Sequence, residues 1–168
     1  MKGPAMTATK TAKPLYSRTQ ILLHWAVFLL VVPQFLLHDA ISSAWNSFTE
    51  GTVAPFDPLV AGHVISGGLI LLLVVWRIVL RRNGAAPAGS GPLDMLAKAT
   101  HGLLYLVLIL MPISGSMAWF GGVEFSAAVH GLLRFALIAL VGLHVVGALY
   151  HQFVLRDTVM TRMTKGGN

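Results

Sequence analysis

Four long apolar stretches, over residues 19–37, 59–80, 96–118 and 129–155, decide what this chain can fold into. Each is near or above the ~20 residues that an α-helix needs to cross about 30 Å of hydrocarbon. Backbone in lipid must satisfy its own polar groups, so stretches of this length predict membrane-spanning helices. The chain has 168 residues, 55% of them hydrophobic and 11% charged, which is too apolar for an ordinary soluble domain. Its length admits one bundle. The expected architecture is an all-α membrane protein, with a four-helix transmembrane domain at 19–155 and short tails at 1–18 and 156–168. Pro33 predicts a kink near the far end of the first helix. The Gly-, Pro- and Ala-rich segment 83–92 predicts a flexible connection.

Lys and Arg number 12 against 6 Asp and Glu, a balance that in a soluble protein would suggest nucleic acid. Here the cations gather beside the apolar spans, so membrane lipid is expected as the partner and nucleic acid is not. Lys2, Lys10, Lys13 and Arg18 precede the first span, Arg81, Arg82 and Lys98 flank the second connection, and Arg156, Arg162 and Lys165 follow the last span. The connections at 38–58 and 119–128 contain neither Lys nor Arg. The positive-inside rule therefore predicts that both termini are cytoplasmic and that those two connections are outer loops. Trp45, Phe48, Phe56, Trp119 and Phe120 are expected there as interfacial anchors. No small-residue cleavage site follows an apolar core near the N-terminus, which reads as a tail and not a cleaved signal peptide.

The spans carry four histidines at two depths: His24, His63, His130 and His144. His24 lies about six residues inside the cytoplasmic start of the first helix, and His63 similarly far inside the outer start of the second. His130 and His144 share the fourth helix, roughly 21 Å apart along its axis and about 40° apart around it, so both can face the interior. Depth pairs His24 with His144 near the cytoplasmic face and His63 with His130 near the outer face. A single intramembrane histidine is commonly a hydrogen-bonded packing residue. Four at matched depths point to function, because polar groups there are costly. Uncharged imidazoles paired across a bundle at two levels suit two stacked haems. Zinc would want its ligands within about 4 Å of one another and not as pairs at two levels. The chain has no cysteine, which excludes covalent c-type haem, thiolate-held iron–sulfur clusters and disulfides.

Gly67 and Gly68 follow His63 by about one turn, Gly131 adjoins His130, and Gly142 and Gly147 bracket His144. Glycines there make room for a flat macrocycle or for close helix packing. Arg77 and Arg134 are candidates to pair with haem propionates, since arginine in a membrane needs an anion or water. Snorkelling to the interface is the alternative for Arg77. His101 and His151 are candidates to bond a propionate or a quinone carbonyl, or to carry protons. The alternative for both is an interfacial histidine without a role. His38 receives no role.

Four segments resemble the bacterial cytochrome b561 family of small dihaem membrane proteins. They are Tyr16-Ser-Arg-Thr-Gln-Ile-Leu-Leu-His24-Trp25, the run His63-Val-Ile-Ser-Gly-Gly, His101 with its Leu/Tyr-rich helix and Pro112, and Gly142-Leu-His144 continuing to His151. The resemblance spans Tyr16 to Met163 and also extends to the cytochrome b subunits of hydrogenases and formate dehydrogenases. It implies two haems b, with His24, His63, His130 and His144 as ligands, in a bacterial inner membrane. It also implies superoxide oxidation coupled to reduction of ubiquinone, with Arg18, Arg77, His101 and His151 as candidates near a cytoplasmic-side quinone. The outer connections, however, hold Asp39, Glu50, Asp57 and Glu124 and no cation that would attract an anionic substrate. The other expected role is an electron-transfer subunit that docks a dehydrogenase, a hydrogenase or a soluble redox partner and has no substrate of its own.

Overall fold

The computed structural model describes residues 16–52, 55–82, 91–157, 160 and 163. Helix α1 is Arg18–Leu36, α2 His38–Thr49, α3 Pro58–Arg82, α4 Pro92–Gly121 and α5 Glu124–Tyr150, followed by a π-helical turn at His151–Leu155. α1, α3, α4 and the α5–turn unit are long and apolar enough to cross a membrane. The four expected spans are present, and the differences lie at their ends. α1 starts at Arg18, where Ser17 Oγ accepts from the Gln20 N–H and Gln20 Oε1 accepts from the Ser17 N–H. This reciprocal pair satisfies two amides that a helix start leaves open. Asp57 Oδ1 accepts from the Leu59 N–H at the start of α3, and Asp94 Oδ2 accepts from the Gly91 N–H at the start of α4.

Two expected loops require correction. Residues 38–58 are not simply an outer loop, because α2 begins at His38 straight after α1, with Leu37 as the single junction residue. The connection expected at 119–128 shrinks to two residues. Helix α4 continues to Gly121, Gly122 turns the chain at a φ of 64°, and α5 starts at Glu124. Glycine adopts that left-handed conformation without steric cost. Pro33 lies within α1, which continues helical to Leu36. Most of the connection expected at 83–92 lies outside the described residues, as do most of both tails.

α4 packs most extensively on α5 and α1 on α3; α3 also packs on α4, and α2 lies against α3 and α1. Large apolar side chains cover the exterior: Leu22, Leu72 and Leu132 are each about 70% exposed (70%, 68% and 70%). In water such a surface would be an aggregation liability, but against acyl chains it is the expected lipid-facing side. The interior core is Val27, Ile70 and Val74, packed by Tyr105, Leu108 and Ile109. Along α1 and α3 this core falls between the level of His24 and that of His63. The two histidine levels are thus separated by packed hydrocarbon.

Candidate cofactor site

The bundle brings the histidines together in the pairs that depth predicts. The imidazole centroids of His24 (α1) and His144 (α5) are 6.0 Å apart, with the rings inclined at 66°. Those of His63 (α3) and His130 (α5) are 6.2 Å apart, also at 66°. An iron held between two imidazoles at about 2.0 Å from each nitrogen, with ring centres about 1 Å behind, needs centroids about 6 Å apart. Unbridged edge-to-face rings also stand about 4.5–7 Å apart, so the spacing admits an iron and its recurrence at two levels is what singles these pairs out.

The His63–His130 pair, called outer after the side the positive-inside rule predicts (His24–His144 being inner), opens on a cavity of about 300 Å³, bordered by α1, α2, α3, α4 and α5. Four glycines line it, Gly67, Gly68, Gly115 and Gly131; a Cβ at Gly67, Gly68 or Gly131 would meet nothing within 4 Å, whereas one at Gly115 would press on the His130 ring. The same open space exists at Gly142 and Gly147 beside His144. Apart from Gly115, these glycines therefore leave volume free; they do not serve close helix contact. Two buried polar atoms at this level, His63 Nδ1 and Arg134 Nε, have no hydrogen-bond partner. Uncompensated buried groups of this kind are costly and normally have a reason. A flat macrocycle with carboxylate arms fits this donor set, because imidazoles face each other across a gap, glycines leave a slot and a guanidinium lines the wall.

Around the inner pair the arrangement is richer than depth alone indicated. His101 (α4) lies 5.0 Å from His144, centroid to centroid, closer than His24 does, and its Nδ1 is 2.6 Å from the Ala97 carbonyl. Arg77 donates from Nη1 to the Gln20 carbonyl at 2.6 Å and from Nε to the Tyr105 hydroxyl at 2.9 Å. It therefore joins α1, α3 and α4 beside the inner pair and does not simply reach for the interface. Arg81 sits over the Tyr105 ring, with its guanidinium carbon 5.6 Å from the ring centroid. His151 is engaged outside this cluster: its Nδ1 pairs with Asp157 Oδ2 at 2.5 Å across the π-helical turn. Arg18 is exposed at the first turn of α1.

Two contributors, His38 and Gln34, carry no sequence signal that assigns them a role. His38 lines the outer cavity and its Nδ1 lies 3.2 Å from Ser42 Oγ. Gln34 donates from Nε2 to Ser66 Oγ at 2.5 Å and to the His63 carbonyl at 3.3 Å, tying α1 to the His63 turn of α3. Trp45, Trp119 and Phe120, expected as interfacial anchors, border the cavity, whereas Phe48 and Phe56 are exposed. The signal for α2 was in the sequence: His38, Ile41, Ser42, Trp45 and Asn46 recur at helical spacing and all line the cavity.

The family model for prokaryotic cytochrome b561 matches residues 15–166. A cytochrome b562 from Cereibacter sphaeroides is 35% identical over 159 residues, covering 92% of this chain and 98% of that protein. A Yersinia pestis protein named probable superoxide oxidase CybB is 29% identical over 178 residues, covering 88% of this chain and 94% of its own length. Cytochrome b561 homolog 2 of Escherichia coli K12 is 26% identical over 164 residues, with 83% and 86% covered. With its four apolar spans and paired intramembrane histidines, the chain belongs to the prokaryotic cytochrome b561 family of multi-pass membrane b-type cytochromes that act in electron transfer.

Proposed function

We propose that this protein holds two haems b and passes single electrons between a donor at the outer face of the bacterial inner membrane and the quinone pool. The observation that carries the proposal is the repeated spacing of about 6 Å (6.0 and 6.2 Å) between facing imidazoles at two levels of one bundle. Haem b supplies reversible one-electron iron chemistry, tuned by its axial ligands and surroundings.

His24 and His144 would hold the inner group, and His63 and His130 the outer one. Both pairs join α5 to a different helix, so occupancy would also fasten α1 and α3 to α5. Arg134, with its unpartnered Nε, supplies positive charge for carboxylates at the outer level. The Val27–Ile70–Val74 core keeps water from the path between the levels. Both termini are cytoplasmic in this reading, which puts Arg77, His101 and Arg18 at the side where a ubiquinone headgroup would need hydrogen-bond donors and protons. His151, paired with Asp157, would be a proton carrier at the same face.

Superoxide is the candidate outer donor, supported by the similarity to the Yersinia pestis protein of that name. The uncharged or acidic outer connections favour a second reading, in which the donor is a redox partner protein docking over α2. Purified protein in quinone-loaded proteoliposomes separates the two. Superoxide generated outside should drive net quinone reduction that is lost with His130→Ala. No quinone reduction by superoxide, with normal reduction by an added protein donor, would establish the second reading.

A further inference from the structure

His130 is seated against the backbone of α4 in a way its counterpart His63 is not. Its Nδ1 lies 2.9 Å from the Met111 carbonyl oxygen and 3.5 Å from Ser114 Oγ. A carbonyl is only an acceptor, so this bond requires the proton on Nδ1 and leaves Nε2 as the nitrogen with a free lone pair. The approach is possible because position 115, one turn after Met111, carries no side chain. A Cβ on Gly115 would stand 3.0 Å from His130 Cε1 and 3.1 Å from His130 Nδ1. Other glycines near the histidines, such as Gly67, Gly131 and Gly142, have only open space at that position. Across the cavity, His63 Nδ1 is buried and has no partner.

We propose that Gly115 and the Met111 carbonyl form a positioning pair that fixes the tautomer and ring orientation of His130 and makes it the stronger ligand of the outer haem. This rests on the dihaem reading above. A ligating histidine whose second nitrogen donates to a carbonyl is held in one orientation and is the more basic ligand, and loss of such a partner commonly lowers metal affinity roughly 10–100-fold. A more basic ligand favours ferric iron, so disturbing the seat should raise the midpoint potential of one haem only.

The full chain, purified in mild detergent as wild type, Gly115→Ala and Leu106→Ala, is read by redox titration and by low-spin EPR, which senses the angle between ligand rings. Gly115→Ala should shift one EPR signal, raise one midpoint potential and leave the other haem unchanged. Leu106→Ala, on the exposed side of the same helix, should match wild type. A Gly115→Ala protein with both haems, unshifted signals and unshifted potentials overturns the inference but leaves the dihaem reading standing. A haem-free wild type removes both. If Gly115→Ala does not fold, hydrogen–deuterium exchange followed by ENDOR on wild type decides. One ligand Nδ1 proton of the outer haem exchanging more slowly than its mate is expected; equal exchange for both overturns the inference.

Discussion

Arg77 gives the structure its most exposed wager, because two readings of it predict different thermodynamics. The side chain donates to the Gln20 carbonyl on α1 and to the Tyr105 hydroxyl on α4, while Gln20 Nε2 donates back to the Leu80 carbonyl on α3 at 3.2 Å. If this network fastens three helices, Arg77→Lys and Tyr105→Phe should be coupled, since a lysine point charge cannot reproduce the fork that reaches both acceptors. Interhelical hydrogen bonds in membranes average about 0.6 kcal/mol and reach about 1.7 kcal/mol. Arg77→Lys disturbs two bonds, one of them charge-assisted onto a carbonyl, so a loss of about 1–3 kcal/mol is expected. Tyr105→Phe removes one bond and should cost about 0.5–1.5 kcal/mol, with a coupling near 1 kcal/mol in the double-mutant cycle. Reversible unfolding in mixed micelles, with and without haem, supplies the four stabilities. If the coupling vanishes and Arg77→Lys acts only on the haem-loaded protein, Arg77 serves the cofactor and the clamp is refuted.

Three further outcomes follow from the same geometry. His24→Ala and His144→Ala should each remove the same haem, His63→Ala and His130→Ala the other, with no further loss in either matched double, as spectra at the two midpoint potentials would reveal. Gly67→Leu projects a side chain into the outer cavity and should deplete one haem while α-helical content by circular dichroism stays at wild-type level. Superoxide consumption should not accelerate as ionic strength falls, because residues 38–58 and 119–128 offer no Lys or Arg to steer an anion; stopped-flow rates that rise steeply at low salt would contradict this.

The spans and the histidine pairs were legible because both depend on long-range regularities: hydropathy over about 20 residues, and depth counted at a fixed rise per residue. The helix starts were less so. Pro92 and Asp94 begin α4 before its apolar run, and Glu124 begins α5 before its own, because first turns are polar where amides need acceptors. α2 is hidden in the hydropathy pattern because its twelve residues include three serines and an asparagine. Gln34 and Gly115 were invisible for a different reason. A lone glutamine that reaches the His63 carbonyl, and a glycine whose missing Cβ admits the His130 ring, acquire meaning only once two helices are docked.

The haem content of the purified chain tests the central claim most directly. A pyridine haemochrome assay with protein quantification by amino-acid analysis should give two b-type haems per chain, with reduced-minus-oxidised spectra resolving two components on titration. One haem per chain, or none, would contradict the paired-histidine architecture.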